Sequence, residues 1–371
     1  MTIRLSHSAS TRYTDCGKSY QYHYIKGYRA KVQSSALLFG TAIDRATEEY
    51  VKTLDFKLAL EMFNNTWERQ DVNKVPTDIR FLTDFTYSNK DLDLDLLKEY
   101  DYSQIKSDLN ASKEDIDRTI HKKLELGYAA LTEDEKKLFN YTNWLCLRSK
   151  GYYLLKEFKR IIDSNMIELL GTQVQVDLEN EDKDSVIGMA DLVVRWKGFD
   201  KPVVLDVKTS SRDYEEDSVR KSPQLSLYVF DLSAKYEDTR NAGFIVLNKN
   251  IQKNKKKVCS KCKHDGTGGR HKTCDNVVDG TRCNGEWNET FRPIGRSQVI
   301  VEPISEVLVE RVVENFNEVN KAIKAEVFPR NFSNCIKYNG AVKCAFYDLC
   351  HHNDMKDIIC KEKEWTQTKK Y

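Results

Sequence analysis

Three runs rich in β-branched residues follow closely on one another: Val174 to Leu178, Val186 to Trp196 and Val203 to Lys208, separated only by the polar turns Glu179 to Asp184 and Lys197 to Asp200. Such spacing reads as three consecutive strands. A helix face formed by Leu154, Leu155, Phe158, Ile161 and Ile162 precedes them, and its periodicity is expected to stop at Gly171. After them, Ser222 and Pro223 offer an N-cap and a first-turn proline to a helix reaching about Lys235, and Gly243 to Leu247 reads as another strand. The predicted core is therefore α/β, in the order αβββαβ.

The rest of the chain is arranged around that block. Residues 36 to 54 place Ala36, Gly40, Ile43, Thr47, Tyr50, Val51 and Leu54 at helical spacing. Residues 72 to 140 are polar and acidic, with helical periodicity around Leu94 to Leu109 and Leu124 to Leu138. A cysteine-rich insert over 259 to 283 follows the core, then a helix with Leu308, Val312, Phe316, Val319 and Ile323 on one face, then a cysteine-bearing tail. The expected organisation is an N-terminal segment with the first core helix over 1–54, a helical elaboration over 55–150, the core over 151–250, a metal-bearing insert over 251–290, and a C-terminal helix and tail over 291–371.

Composition narrows the function classes. With 40% hydrophobic and 31% charged residues, the chain can bury a core and is not a disordered polyelectrolyte. No apolar run approaches the roughly 18 to 20 residues of a membrane span. Met1 to Ser10 lacks a basic region followed by an apolar stretch, so the ten cysteines are read in a reducing cytoplasm, where clustered cysteines point to metal. A net charge of +2 gives no overall pull on a polyanion, so nucleic-acid contact must come from local patches.

Along Val203 to Lys208, Asp206 and Lys208 project to one side while Val203, Leu205 and Val207 project to the other. If Lys197 to Asp200 is a four-residue hairpin loop, Trp196 faces Lys201 and the register brings Asp191 opposite Asp206. Like charges opposed in a sheet are destabilising, so a cation is expected between them. Mg or Mn suits carboxylates, the Val207 carbonyl and water, and Lys208 can hold and polarise an attacking water. The chemistry implied is phosphodiester hydrolysis. Gln224 and Tyr228, four apart on the next helix, share a face from which they can orient the lysine or a phosphate. A D-x-K on its own is more often an ordinary surface ion pair.

The strings G-M-A-D-L-V-V with Asp191, V-V-L-D-V-K-T with Asp206 and Lys208, and Q-L-S-L-Y with Gln224 and Tyr228 resemble the PD-(D/E)xK nuclease superfamily, in its RecB-like and CRISPR-associated exonuclease branch. The opening L-S-H-S-A-S-T-R-Y-T-D-C, ending at Cys16, is similar to that branch's N-terminal segment, and F-G-T-A-I-D, ending at Asp44, to its first core helix. Where the family commonly has a metal-binding histidine this chain has Asp44, which also ligates hard cations but makes the site more anionic. Gln173 stands where many relatives carry a glutamate and is given no catalytic role. The resemblance covers residues 3 to 50 and 150 to 250.

Cysteines form two groups. Cys335, Cys344 and Cys350 follow the pattern C-x8-C-x5-C, with Cys16 a natural fourth member if the chain ends meet. The resemblance implies a 4Fe-4S cluster on these four, structural because no iron position is left open. The same set also suits tetrahedral Zn, and Cys360, His351 or His352 could replace Cys16. Cys146 is expected to be a buried small hydrophobe. In the insert, Cys259-x2-Cys262 followed by Cys274 and Cys283 reads as a zinc ribbon, with Cys283 preferred over His264 or His271 as fourth ligand. Lys249, Lys253, Lys255, Lys256, Lys257, Lys261, Lys263, Arg270 and Lys272 make its surroundings basic, suited equally to phosphate contacts or to a solvated face.

The expected function is a Mg- or Mn-dependent DNA nuclease. The resemblance alone makes it an exonuclease on single-stranded or frayed ends, serving recombination, repair or replication in a bacterial or phage setting, with a helicase or recombination protein as partner. The alternatives are a DNA-binding or assembly subunit that keeps the fold and cuts weakly, and a protein-binding zinc ribbon on a vestigial core.

Overall fold

The computed structural model describes residues 2–30, 35–68, 97, 99–127, 130–180, 183–210, 212–249, 252–264, 273–294, 297–337 and 342–360. The chain opens with β1 (Arg4–Ser6), α1 (His7–Asp15), α2 (Gly17–Tyr20), a π-helical turn at Gln21–Ile25 and β2 (Tyr28–Ala30). Helices α3 (Ser35–Thr53), α4 (Phe56–Glu68), α5 (Glu99–Leu109), α6 (Lys113–Leu126) and α7 (Glu133–Asn165) follow. Next come β3 (Met166–Glu179), β4 (Ser185–Trp196), β5 (Val203–Ser210), α8 (Pro223–Ser233) and β6 (Asn241–Asn248). The insert holds β7 (Gln252–Cys259), β8 (Val277–Val278), β9 (Thr281–Arg282) and β10 (Trp287–Ile294). The chain closes with β11 (Gln298–Pro303), α9 (Glu306–Lys324), β12 (Ile336–Lys337), β13 (Val342–Lys343), α10 (Tyr347–His352) and β14 (Ile358–Cys360). No described helix is long and apolar enough to cross a membrane.

Three helix boundaries differ from the sequence expectation. Leu54, expected on the apolar face of the first core helix, lies just past the end of α3, exposed and at φ 53°. The helix before the strands ends at Asn165, and Gly171 lies inside β3, at a register shift against β4 between Leu169 and Gly171. A strand bulge accommodates glycine as readily as a helix end does, so the breaker was legible but its meaning was not. The periodicity over Leu124 to Leu138 crosses two helices: Gly127, at φ 86°, ends α6, and Thr132 with Glu135 forms a capping box that starts α7. Of the elaboration, residues 69–96, with Leu94 among them, lie outside the described residues.

The central sheet is mixed and six-stranded, and larger than the four expected strands because β1 and β11 join it from outside the 151–250 block. β3 pairs antiparallel with β4 along nearly its whole length. The other edge of β4 is shared: β1 runs parallel to Ser185, Val186 and Ile187, and β5 runs antiparallel to Leu192, Val193 and Val194. Between Ile187 and Leu192 that edge has no ladder partner among the described pairings, so the sheet forks there. β6 lies parallel to β5, and β11 antiparallel to β6.

Alternation along the strands fills two layers. Val203, Leu205 and Val207 join the core formed with Phe39, Ile43 and Tyr50 of α3 and Leu154 and Phe158 of α7. Val204 joins Leu225, Tyr228, Val229 and Leu232 of α8 on the opposite face. Cys146 is fully buried in the α3–α7 layer, as expected of a small hydrophobe.

The chain ends are tied to the sheet. Asp184 accepts from the Ile3 N–H at 2.9 Å and pairs with Lys324 of α9 at 2.7 Å, with its own side chain 2% exposed. Burial alone would raise the carboxyl pKa, but Lys324 and the Ile3 N–H hold it below its usual range. Asp184→Ala leaves an ammonium and a backbone donor without this acceptor and is expected to cost about 2 kcal/mol of unfolding free energy. Chemical denaturation of parent and variant measures it, and an unchanged midpoint would dismiss the tie.

Candidate active site

The fork in the sheet positions the acidic groups. The β4–β5 register follows the four-residue hairpin expectation, but the ladder stops at Leu192 and Leu205, one pair short of Asp191 and Asp206. With the strands parted there, the Asp191 carboxylate itself accepts from the Val207 N–H at 2.8 Å. Asp191 therefore substitutes for a missing strand partner, and its other oxygen accepts from Gln173 Nε2 at 3.3 Å.

The gap lets groups from both helical layers meet. From α3, Asp44 shares a small crevice with Gln173, Asp191 and Val207. From α8, Gln224 Nε2 lies 3.0 Å from Asp206 Oδ1 and 2.6 Å from the Tyr228 hydroxyl. Tyr228 reaches this position over Gly188, where a Cβ would lie 2.7 Å from its ring. Lys208 Nζ lies 2.5 Å from Asp206 Oδ2. Oδ2 is buried, and the Lys208 ammonium is its partner.

The electrostatics are those of crowded carboxyl groups. Burial raises the Asp191 pKa, Asp206 adds to the rise, and the Val207 N–H opposes it. Burial also raises Asp206, against the pull of Lys208. Burial disfavours the Lys208 charge, but Asp206 and Asp191 more than restore it and raise its pKa. The two partners thus shift in conflicting senses. The 2.5 Å approach decides for an ionised Asp206–Lys208 pair, leaving Asp191 as the carboxyl that retains a proton. Asp44 is pushed up to about 6 by its protein surroundings, although solvent reaches it and softens that effect.

A carboxyl pKa raised from 3.8 in the unfolded chain makes the folded state bind more protons. The metal-free protein should therefore be most stable below about pH 4 on this account, and lose that contribution as pH rises through 6 and beyond. Asp191→Asn should flatten the pH dependence of thermal melting in chelator between pH 5 and 8; an unchanged slope would contradict the burial argument.

Among the described residues, the carboxyl groups of Asp44, Asp191 and Asp206 gather about the Lys208 ammonium. Asp44, Asp191, Asp206 and the Val207 carbonyl are oxygen donors of the kind that Mg or Mn takes and are the candidate ligands, but in this structure the three carboxylates do not close to single-ion spacing as the insert cysteines do.

The insert cysteines converge on one point. The sulfurs of Cys259, Cys262, Cys274 and Cys283 all lie within 4.8 Å of one another, with Cys259 to Cys283 and Cys262 to Cys274 at 3.5 Å. Four thiolates around one ion at about 2.3 Å would stand about 3.8 Å apart, so the group can hold a metal ion. The Cys262 N–H approaches Cys259 Sγ at 3.4 Å and Asn276 Nδ2 approaches Cys262 Sγ at 3.7 Å, which favours thiolate character. Gly285 is required beside them, since a Cβ there would lie 2.5 Å from Cys259 Sγ. His264 instead packs its ring near Trp287. His271, Arg270, Lys272 and the side chains of Lys253, Lys255, Lys256 and Lys257 lie outside the described residues.

The chain ends do meet. Lys18 N–H donates to the Pro329 carbonyl at 3.1 Å, Asn334 Nδ2 to the Asp15 carbonyl at 2.8 Å, and β2 pairs with β14. Burial raises the Cys335 thiol pKa, and the nearby thiols of Cys344, Cys16 and Cys350 raise it further. These four are neighbours, yet their sulfurs do not close to single-ion spacing as the insert cysteines do. Cys360 points elsewhere, with its sulfur 3.7 Å from the Lys26 carbonyl, and His351 stacks on Tyr347.

Two residues at the site had no assigned role in sequence. Gln173 adopts φ 49°, a left-handed conformation beside the β3 bulges, and that brings its amide to Asp191. His7, the first residue of α1, stands near enough to Lys208 that, after burial, the ammonium lowers its imidazole pKa. The resemblance marks the Gln173 position without giving it a role, and a strand-to-helix junction leaves no periodic trace, so no sequence signal marked His7.

A sequence model of the PD-(D/E)XK nuclease superfamily matches residues 4–351. No curated protein matches the chain significantly by sequence. Among solved structures, one described as "Crystal structure of SSO0001" aligns with 68% of this chain and 95% of its own at 16% identity, with a TM-score of 0.27.

Proposed function

Because the chain belongs to the PD-(D/E)XK nuclease superfamily, we propose that it is a divalent-metal-dependent DNA nuclease of the RecB-like kind, an exonuclease on single strands or frayed ends. The observation that carries the reading is the gathering of the buried Asp191 and Asp206 carboxyl groups with Asp44 and the Lys208 ammonium where β4 and β5 part. Mg or Mn, when bound, supplies an activated water at neutral pH and offsets charge on the phosphate.

The chain's own residues do the rest. Val207 N–H and Gln173 fix the two Asp191 oxygens, and Gln224, braced by Tyr228, fixes Asp206. Lys208, about one-third exposed, can reach outward from Asp206 to hold the attacking water or a phosphate oxygen. Asp44 contributes a third carboxylate where the resembling branch commonly has histidine. A weakly cutting DNA-binding subunit is the competing reading, and Asp44 is its motive. Digesting end-labelled DNA with Mg or Mn separates them: progressive loss of label from ends supports the exonuclease, and tight binding without cleavage supports the subunit.

In the same proposal, Cys16, Cys335, Cys344 and Cys350 hold a 4Fe-4S cluster, and Cys259, Cys262, Cys274 and Cys283 hold zinc in a ribbon. Protein isolated without oxygen should absorb near 400 nm, an approximate value for such clusters generally, and Cys344→Ser should abolish the band. A colourless protein with two zincs would reject the iron assignment.

A further inference from the structure

Between β5 and α8 the chain folds back over the sheet, and two amide side chains pin it there. Asn248 Nδ2, from β6, donates to Asp213 Oδ1 at 2.6 Å. Gln298 of β11 grips the next residue by its backbone: its Oε1 accepts from the Tyr214 N–H at 2.8 Å, and its Nε2 donates to the Tyr214 carbonyl at 3.1 Å. The Tyr214 ring packs edge-on against Phe244 of β6, with the ring centroids 5.3 Å apart.

Strand register places that ring beside the carboxylate site. Lys208, Val246 and Gln298 stand in one row across β5, β6 and β11, and Asp206, Phe244 and Ile300 stand in another row on the same face, the one that α8 covers. With neighbouring strands about 4.8 Å apart, the Gln298 backbone lies about 10 Å from that of Lys208. Tyr214, held by Gln298 and resting on Phe244, therefore stands over the strand next to Asp206 and Lys208. Its ring is half-buried, yet its hydroxyl has no hydrogen-bond partner among the described residues. The Tyr228 hydroxyl on the same side of the sheet is by contrast engaged with Gln224.

We propose that Tyr214 is a substrate-binding residue whose hydroxyl donates to an oxygen of the phosphate next to the scissile one. This contact rests on the nuclease reading and sets how the strand lies beside the cut. The scissile phosphate belongs at Asp191 and Asp206, and the ring stands one strand further along the sheet, where the neighbouring linkage would pass. Burial raises the phenol pKa, with Lys208 opposing and Asp206 adding, so the hydroxyl keeps its proton at neutral pH and acts as a donor. A phenol reaches a phosphate without setting a second cation beside Lys208. With its backbone clamped and its ring packed on Phe244, it also has little rotamer freedom left to lose on contact. A phosphate contact reads no base, so it should serve every sequence alike.

Single-turnover cleavage of an end-labelled single strand, followed at one mapped bond with protein below saturation, tests the contact. Tyr214→Phe keeps the ring on Phe244 and both backbone bonds to Gln298, so what it removes is the hydroxyl. It should slow cleavage about tenfold, the scale of a lost hydrogen bond to a charged group. A methylphosphonate at one of the two linkages flanking that bond, which replaces a charged oxygen by methyl, should slow the parent by a similar factor. The same strand should slow Tyr214→Phe several-fold less, because two changes that remove one contact do not multiply. A purely structural tyrosine would show no such coupling. Parental cleavage by Tyr214→Phe, or equal slowing of parent and variant by each flanking methylphosphonate, with the parent cutting DNA, would overturn the contact alone. A parent that leaves DNA intact with both Mg and Mn would overturn the nuclease reading and the contact with it.

Discussion

Lys208→Ala is expected to slow DNA cleavage by about 10³-fold under single-turnover conditions, while DNA binding changes little. The expectation follows from placement: among the described residues the Lys208 ammonium is the cation set against the Asp44, Asp191 and Asp206 carboxyl groups, and its neighbour Asp206 is buried and already fixed by Gln224. Removing a preorganised charge from a site where phosphate charge develops costs about 10² to 10³ in rate. Lys208→Arg should not restore the rate, because a planar guanidinium cannot take the place of a compact ammonium at 2.5 Å from Asp206. End-labelled DNA with Mg, quenched over time, gives the measurement. Retention of cleavage within a few-fold would reduce Lys208 to an ordinary ion-pair partner and sink the hydrolytic assignment.

Removing metal from the Cys259, Cys262, Cys274 and Cys283 group should unfold the insert and spare the sheet. Structural zinc supplies about 10 to 16 kcal/mol in small metal-folded units, whereas the described insert buries little besides its own cysteines, chiefly Cys259 and Cys274. The insert leaves the sheet after β6 and returns at β11, so its loss opens a loop and not a core strand. On the zinc proposal, Cys262→Ser should lack the one equivalent of zinc that elemental analysis finds at this group in the parent, and residues 252–294 should become sensitive to limited proteolysis. A protease-resistant insert without metal would mean that β7 and β10 hold it together unaided.

Local pattern was enough for much of this architecture. The three β-branched runs became β3, β4 and β5, the proline-led helix became α8, and a four-residue turn was sufficient to set the β4–β5 register. The C-x2-C spacing and two further cysteines sufficed to anticipate the insert group. Periodicities of two and of 3.6, together with turn length, are carried by residues close in sequence, and so they are legible there.

What tertiary structure decided lies in contacts between distant segments. Nothing in the three residues Arg4–Ser6 marks them as a strand that takes part of the β4 edge and leaves β5 the rest, yet that division opens the fork where Asp44, Asp191, Asp206 and Lys208 come together. The same holds for Gln173 reaching Asp191 from a left-handed backbone, for His7 beside Lys208, and for Cys16 beside Cys335. Which segment occupies a sheet edge is settled by competition among all parts of the chain for hydrogen-bond partners and buried area. The amino-acid sequence thus determined the elements and the chemistry they carry, and only packing determined where the sheet parts and which charges must share the gap.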